Sequence, residues 1–485
     1  MRKEAAKMWT CPACSINVID NKYVCTACGF DKRADFVGVR TLSVVSQKEI
    51  DCYYQFFSSF RKETYTNGDW YEGEFKNRKR HGKGIYHYVS GERYEGDFVN
   101  GKYEGQGTYY YNNGCTHQGG YKDGKRNGYG KESYASGSRY EGEFLNGKRQ
   151  GKGIYYFSDG DRYEGDVVDG GYNGYGTYYY LNGCTYQGYW KDDQKNGYGK
   201  ETYASGNRYE GEFLNGKRHG KGVFYFNSGN YDGDRYEGEF ADGNYNGYGT
   251  YYYSNGCAYE GYWKDDKQNG YGKETFANGK RYEGDYLSGK RQGKGIYYFS
   301  DGDRYEGDVV DGKYNGYGTY YYLNGCTYQG YWKDDEKNGY GKETYASGDR
   351  YEGEFINGKR QGKGIYYFNN GDRYEGKFAD GKYNGYGTFY WSNGVKFEGQ
   401  WVNGERRNGK VTYANGDIYD GQFLNDKRHG KGIYHYANGE RYEGDYFEGM
   451  RQGQGTMYYK NGRKDEGEWQ NDQFVKKSFF NKLFK

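Results

Sequence analysis

The chain alternates aromatic and polar residues in short runs that are typical of β-strands. Residues 139–160, RYEGEFLNGKRQGKGIYYFSDG, show the pattern: an alternating run, an Asn-Gly turn signal, a second aromatic run and an Asp-Gly turn. Strand alternation places Tyr140 and Phe144 on one face and Glu141 and Glu143 on the other. The segment therefore predicts a β-hairpin with an aromatic face and a polar face.

The same hairpin pattern repeats along most of the chain. A signature of the type aromatic-x-Gly-x-aromatic recurs eighteen times, with a step of 23 residues except after Tyr209, where it is 27, and after Phe397, where it is 22. A fixed period of this length predicts a repeat protein in which each unit packs on its neighbours. The first positions of the signature are Tyr71, Tyr94, His117, Tyr140, Tyr163, Tyr186, Tyr209, Tyr236, Tyr259, Tyr282, Tyr305, Tyr328, Tyr351, Tyr374, Phe397, Tyr419, Tyr442 and Asp465.

The repeat has a recognisable consensus. The sequence YEGEF-x-NGK-x-x-GKG is present nearly verbatim at Tyr71, Tyr140, Tyr209 and Tyr351. These units resemble MORN repeats, the membrane occupation and recognition nexus family, and the resemblance covers roughly residues 60–470. It implies an all-β fold, an elongated single-layer antiparallel sheet of about 18 stacked MORN β-hairpins with an aromatic-lined groove. Two strands per unit at about 4.8 Å each would give a length of roughly 170 Å.

The units fall into triplets, and one long block is nearly duplicated. Residues 148–218 and 290–360 differ at only four positions. A unique catalytic constellation cannot lie within a block that the chain contains twice, and no carboxylate pair or nucleophile–base grouping stands apart from the repeat. The sequence therefore predicts a protein that is not an enzyme, with a surface that acts repeatedly along its length.

The composition is that of a tyrosine-rich repeat. The 485 residues include 86 Gly and 69 Tyr, and aromatic residues make up 21% of the chain while the whole hydrophobic set reaches only 34%. Too few aliphatic residues remain for the layered core of a conventional enzyme, and disordered chains are poor in aromatic residues. The 70 Lys and Arg nearly balance the 67 Asp and Glu, so no long-range field attracts nucleic acid, and we expect no DNA partner.

Four cysteines near the N-terminus form two CxxC pairs. Such pairs supply four thiolates to one tetrahedral, structural Zn²⁺. Together with Trp9, their spacing resembles the Ran-binding-protein type of zinc finger, whose members bind ubiquitin or single-stranded RNA. Val18 replaces an Asn expected in that family, so a generic zinc ribbon is an equal alternative. The predicted zinc ligands are Cys11, Cys14, Cys25 and Cys28.

The remaining cysteines indicate a reducing compartment. Cys115, Cys184, Cys257 and Cys326 are spaced by 69, 73 and 69 residues, which in a repeat array places neighbours far beyond the roughly 7 Å between Cα atoms that a disulfide spans. The sequence has neither a signal-peptide core nor an apolar run long enough to span a membrane. The expected location is intracellular and cytoplasmic, with peripheral attachment to a membrane or to the cytoskeleton as an alternative.

Basic residues at the hairpin turns and in the tail are candidate lipid-binding groups. A row of Lys-Arg doublets along one edge of the sheet would attract acidic headgroups by about 1 kcal/mol for each side chain. The alternative is that they are solvated turn residues that discourage edge pairing. The tail predicts a short basic amphipathic helix that either binds a membrane interface or caps the last hairpin. The candidates are Lys79, Arg80, Lys148, Arg149, Lys217, Arg218, Lys290, Arg291, Lys359, Arg360, Lys477, Lys482 and Lys485.

These observations predict four segments. A zinc-finger or zinc-ribbon module occupies residues 1–35, a linker or N-terminal cap residues 36–62, the MORN array residues 63–472, and a basic amphipathic tail residues 473–485.

The preferred hypothesis is a non-catalytic scaffold that binds protein partners along the groove. The resemblance implies that aromatic rows, exemplified by Tyr140, Phe144, Tyr163 and Tyr209, take an extended or helical partner segment. The alternative for the same side chains is that they hold successive hairpins together. Two other functions stay open: a peripheral membrane tether that binds acidic phospholipids through the basic turns and the tail, and an adaptor whose zinc module recruits ubiquitin or RNA.

Overall fold

The computed structural model describes residues 8–10, 17–19 and 60–475 of the chain. All regular elements in these ranges are β-strands, apart from one 3₁₀ turn at Gly229–Tyr231. Strands β1 (Met8–Thr10) and β2 (Asn17–Ile19) form a small antiparallel pair on either side of residues 11–16. The chain divides into two compact units, residues 1–230 with 241–243, and residues 231–240 with 244–485.

The strands of the first unit pair in sequence order, each antiparallel to the next. They are β3 (Phe60–Thr64), β4 (Trp70–Lys76), β5 (Lys79–His87), β6 (Arg93–Val99), β7 (Lys102–Tyr110), β8 (Thr116–Lys122), β9 (Lys125–Ser133), β10 (Arg139–Leu145), β11 (Lys148–Tyr156), β12 (Arg162–Val168), β13 (Gly171–Tyr179), β14 (Thr185–Lys191), β15 (Gln194–Thr202), β16 (Arg208–Leu214) and β17 (Lys217–Tyr225).

The second unit is built in the same way, with consecutive antiparallel pairing from β19 to β39. Its strands are β18 (Arg235–Ala241), β19 (Asn244–Tyr252), β20 (Ala258–Lys264), β21 (Lys267–Thr275), β22 (Arg281–Leu287), β23 (Lys290–Tyr298), β24 (Arg304–Val310), β25 (Lys313–Tyr321), β26 (Thr327–Lys333), β27 (Glu336–Thr344), β28 (Arg350–Ile356), β29 (Lys359–Tyr367), β30 (Arg373–Ala379), β31 (Lys382–Tyr390), β32 (Lys396–Val402), β33 (Glu405–Thr412), β34 (Ile418–Leu424), β35 (Lys427–His435), β36 (Arg441–Phe447), β37 (Met450–Tyr458), β38 (Lys464–Gln470) and β39 (Gln473–Phe474).

The hairpin β10–β11 shows why the repeat folds in this way. Leu145 pairs with Lys148, so the turn between the strands has two residues, and both have positive φ, 52° at Asn146 and 94° at Gly147. Asn-Gly is the sequence that best adopts this turn, whose twist matches that of the strands. A bulge between Gly142 and Phe144 keeps the aromatic residues on one face.

The core of each unit is a continuous layer of aromatic rings on one face of the sheet. The first aromatic residue of almost every signature is 0% exposed, and the residue four positions later is buried beside it and is aromatic except at Val167 and Val309. The ring of Tyr186, for example, packs edge-on against Trp190 of its own strand and Phe213 of the next hairpin, with ring centroids 5.0 Å apart in both pairs. Stability therefore comes from contacts between neighbouring hairpins.

The prediction of a stacked-hairpin, all-β fold is confirmed, with one correction to the number of units. Seventeen hairpins are complete, from β4–β5 to β36–β37. The eighteenth signature, at Asp465, forms β38, but its second strand β39 has only two residues. The longer step after Tyr209 is explained by the 3₁₀ turn at Gly229–Tyr231.

Three predictions concern residues outside the described ranges. These are the zinc ligands Cys11, Cys14, Cys25 and Cys28, most of the linker or cap at residues 36–62, and the tail helix with Lys477, Lys482 and Lys485.

Candidate functional site

The aromatic residues assigned to a partner groove lie in the core. Tyr140, Tyr163 and Tyr209 are 0% exposed and Phe144 is 3% exposed. The ring of Tyr140 packs edge-on against Phe144, with centroids 5.4 Å apart, and its hydroxyl donates to the carbonyl oxygen of Glu143 at 3.2 Å. A partner cannot reach these side chains, so their assignment as partner-binding residues is corrected. They hold hairpins together, which is the alternative that the sequence left open.

One accessible part of the aromatic face is a row of half-buried side chains, one from the second position of each hairpin's second strand. We call it the central row. In the first unit it consists of Arg80, Tyr103, Arg126, Arg149, Tyr172, Lys195 and Arg218. In the second unit it consists of Tyr245, Gln268, Arg291, Tyr314, Lys337, Arg360, Tyr383, Arg406, Arg428 and Arg451.

Packing against the core holds the central row in place. The ring of Tyr172 stacks on that of Tyr163 with centroids 3.8 Å apart and planes within 19°. The guanidinium of Arg149 lies 5.2 Å from the ring centroids of both Tyr140 and Tyr155. Cation–π contacts of this kind fix a long side chain over the rings and leave one of its edges toward solvent.

Every third hairpin up to β26–β27 adds a carboxylate beside the central row, at a position where most other hairpins carry Tyr or Phe, and β33 has Val411 there. The oxygens of Glu132 accept hydrogen bonds from Arg126 and from Nε of Arg149, the latter at 2.7 Å. Glu274 accepts from Nε and Nη2 of Arg291 at 3.0 and 2.6 Å. Each carboxylate therefore neutralises central-row cations within the aromatic layer. The four members are Glu132, Glu201, Glu274 and Glu343.

The cations and hydrogen-bond donors around these carboxylates determine whether they are ionised. Burial raises the pKa of Glu343, but hydrogen bonds and charge interactions outweigh burial and hold the pKa below its ordinary value. The contributing groups are the ammonium of Lys337 at 2.5 Å, the hydroxyl of Tyr345 and the guanidinium of Arg360. The carboxylate is thus ionised at neutral pH and belongs to a fixed polar cluster rather than to a proton-transfer site.

The Lys-Arg doublets do not expose two unpaired cations each. Arg149 belongs to the central row, and its side chain is only 25% exposed. Lys148 points to solvent, but its Nζ lies 3.0 Å from Oδ2 of Asp169 on the next turn, and Lys290 pairs with Asp311 at the same distance. The sequence suggested a basic edge, whereas in these doublets the lysine is paired with an acid and the arginine is packed on aromatic rings.

A set of exposed tyrosines lies on the polar face, and none of them is among the candidate residues named from the sequence. Tyr175, Tyr189 and Tyr198 lie on the neighbouring strands β13, β14 and β15 and are 45%, 52% and 59% exposed. A signal was available: Tyr189 is two residues from Gln187, so alternation places both on the polar face. It was overlooked because tyrosine is so abundant in this chain.

The described part of the chain contains no cluster of three or more His, Cys, Asp or Glu side chains that could hold a metal ion. None of its helices is long and apolar enough to cross a membrane.

Tandem hairpins with one aromatic and one polar face define a β-hairpin repeat protein. The sequence profile of the MORN repeat matches seventeen stretches, which cover residues 71–231 and 236–462 without gaps. The chain therefore belongs to the MORN-repeat family, as its consensus predicted. No curated protein gives a significant match to the chain.

Solved structures with some likeness to the chain are distant. The TCP domain of SAS-4 (dCPAP) of Drosophila melanogaster, in complex with a proline-rich motif of Ana2 (dSTIL), is 18% identical over 31% of this chain and 84% of its own, with a TM-score of 0.22. The wild-type TCP10 domain of Danio rerio CPAP is 13% identical over 48% of this chain and 96% of its own, with a TM-score of 0.16. Likeness at this level says nothing about function.

Proposed function

We propose that the protein is a non-catalytic scaffold that binds an extended or helical segment of a protein partner against the central row. The observation that supports the proposal is the row itself, in which aromatic rings and paired charges are held half-buried along the sheet. Surfaces that combine exposed edges of Tyr and Arg with little conformational freedom are typical of binding hot spots.

The repetition supports a scaffold rather than a single recognition site. The same Tyr, Arg and Glu constellation returns with each triplet, as in Tyr172 with Glu201 and Tyr314 with Glu343. A partner segment can therefore make several weak contacts, and together these give strong binding. Nothing in the arrangement requires a reaction, and the four carboxylates beside the row are paired with its cations.

The test is affinity purification of the intact chain from cells, with partners identified by mass spectrometry. The matched variant is Tyr172→Gln with Tyr314→Gln, because Gln268 occupies the equivalent position in a sister hairpin and shows that the fold accepts glutamine there. The control is Tyr189→Gln with Tyr331→Gln on the polar face. We expect partners that the wild type and the control retain and the central-row variant loses. Partners retained equally by all three proteins would overturn the proposal.

A further inference from the structure

The exposed tyrosines of the polar face form a recurring structure that the aromatic core does not need. We call three such tyrosines on three consecutive strands a tyrosine pad. The first unit has one pad, formed by Tyr175, Tyr189 and Tyr198. The second unit has two, formed by Tyr248, Tyr262 and Tyr271 and by Tyr317, Tyr331 and Tyr340.

The three pads have nearly the same geometry. Tyr175 is directly opposite Tyr189 in the strand register, and their rings meet edge-to-face with centroids 5.4 Å apart. The corresponding pairs in the second unit lie at 5.3 and 5.4 Å. The third ring of the pad, Tyr198, is 59% exposed. Aromatic groups that stay this open on a polar face contribute little to folding and are typical of interaction surfaces.

Each pad lies between carboxylates. On one side, Oδ2 of Asp166 accepts a hydrogen bond from the backbone N–H of Tyr175 at 2.8 Å, and its Oδ1 is paired with Nζ of Lys152 at 2.5 Å, so this carboxylate is already neutralised. On the other side, Glu212 is directly opposite Tyr198 in the register.

The second unit repeats this arrangement. Asp285 is opposite Tyr271, and Glu354 is opposite Tyr340. Within one pad, the hydroxyl of Tyr248 also donates to Glu260 at 2.9 Å. Carboxylates beside open tyrosine rings repel phosphate and attract cations.

The polar face already uses this chemistry within the chain. The guanidinium of Arg208 lies 4.1 Å above the ring centroid of Tyr225, and its Nε is 3.2 Å from Oε1 of Glu210. Arg162 lies 4.3 Å above Tyr179 in the same way. An arginine on a tyrosine beside an acid is therefore a compatible arrangement on this face. Each pad offers open tyrosine rings next to a carboxylate, as in Tyr198 beside Glu212, and no arginine of the described residues lies over these rings.

We propose that the tyrosine pads bind arginine and lysine side chains of an extended cationic polypeptide segment of a partner protein. In the second unit the two pads begin on β19 and β25, six strands apart, which corresponds to roughly 29 Å at 4.8 Å per strand. An extended chain covers that distance with about nine residues at 3.3 Å each. The partner segment thus carries basic clusters about nine residues apart, and its two contacts reinforce one another.

The probe for the test is a synthetic peptide with two Arg-Lys-Arg clusters whose centres are nine residues apart, bound to the full chain and followed by fluorescence anisotropy. The pad variant replaces Tyr262, Tyr271, Tyr331 and Tyr340 by Gln. Gln400 occupies the position of Tyr331 in a sister hairpin, so the strand accepts glutamine there. The matched control is Val402→Gln with Leu424→Gln, two exposed strand-end residues outside the pads and the central row, at a position where β38 has Gln470. Circular dichroism verifies folding of both variants.

We expect the pad variant to bind the peptide about tenfold or more weakly, since several exposed cation–π contacts are lost, and the control to bind it as the wild type does. Moving the two clusters to a separation of four residues should also weaken binding. Equal binding of the peptide by wild type and pad variant would overturn the proposal. So would pad-dependent binding of an acidic peptide or of oligo-uridine RNA. Because the pads and the central row lie on opposite faces, failure here leaves the proposed scaffold function untouched.

Discussion

The hydroxyl of Tyr186 donates to the carbonyl oxygen of Tyr189 at 2.9 Å, and to reach it the ring crosses Gly199 on the neighbouring strand. A Cβ atom on Gly199 would lie 2.5 Å from that hydroxyl oxygen and 2.6 Å from a ring carbon. The abundance of glycine and the abundance of tyrosine are therefore one feature, since the buried ring needs a strand position without a side chain.

Replacing Gly199 by Ala should destabilise the hairpin pair β14–β15 by about 1–3 kcal/mol, because the ring of Tyr186 is buried and has no free space to enter. Native-state hydrogen exchange of these two strands measures the effect. The control is Gly171→Lys, since the near-identical block has Lys313 at that position. Unchanged protection of β14–β15 in the alanine variant would contradict the explanation.

His117 occupies the position of Tyr186 in its own hairpin and is fully buried, and neither ring nitrogen has a hydrogen-bond partner. Burial, with a smaller contribution from Arg126, lowers its pKa from 6.5 to about 3. The unfolded chain therefore binds a proton below pH 6.5 that the folded chain does not. From this group, stability should fall by up to about 1.4 kcal/mol per pH unit between pH 6.5 and about 3.

Urea unfolding at pH 7 and pH 5, compared between the wild type and His117→Tyr, isolates this contribution. The tyrosine variant should lose less stability on acidification, and at pH 7 it should be more stable, because a hydroxyl could reach the carbonyl oxygen of Gly120 as Tyr186 reaches that of Tyr189. Identical pH dependence in the two proteins would show that His117 is not buried as the structure places it.

The half-buried carboxylates Glu274 and Glu343 should differ in how strongly they depend on one cation. Glu343 forms a hydrogen bond with the ammonium of Lys337. In the hairpin of Glu274 the equivalent position is Gln268, so the hydrogen-bonded cation of Glu274 is Arg291. Arg291→Gln should therefore cost about 3 kcal/mol, whereas Lys337→Gln should cost about 1 kcal/mol because Arg360 remains near Glu343. Hydrogen exchange of the affected hairpins measures both. Equal losses would mean that the two clusters do not neutralise their carboxylates in the way described.

The hairpins could be predicted from the sequence alone, because the Asn146-Gly147 turn and the strand alternation around Tyr140 are specified by residues that are close together in the chain. It did not show how side chains share the aromatic face. Arg149 turns inward because Glu132, 17 residues earlier, lies beside it in the stacked sheet, and local spacing does not reveal that contact. Strand alternation was sufficient to place Tyr189 on the polar face. Because tyrosine is so common in the chain, residue type alone did not distinguish it from the buried tyrosines.

The zinc module remains a prediction with a direct test. Metal analysis of the purified chain should find one equivalent of Zn²⁺, because two CxxC pairs form one tetrahedral site. Cys25→Ser should remove it. Cys184→Ser in the array is the control and should leave the zinc content unchanged, since its Sγ accepts a hydrogen bond from the backbone N–H of Ala204 and, among the described residues, belongs to no cluster of three or more side chains that could hold a metal ion. Zinc retained by the Cys25 variant would exclude the four-cysteine site.

Binding to acidic phospholipid vesicles separates the repeats from the tail. Because Lys148 and Lys290 pair with aspartates of the following turns, the doublets of the array should attract an acidic surface only weakly. We expect any flotation of the intact chain with phosphatidylserine vesicles to disappear when residues 474–485 are deleted. If the shortened chain still floats, and Lys148→Gln with Lys290→Gln then abolishes flotation, the doublets bind headgroups despite their partners. In that case the array itself binds the membrane, and the Lys–Asp ion pairs must break when the lysines contact the lipid headgroups.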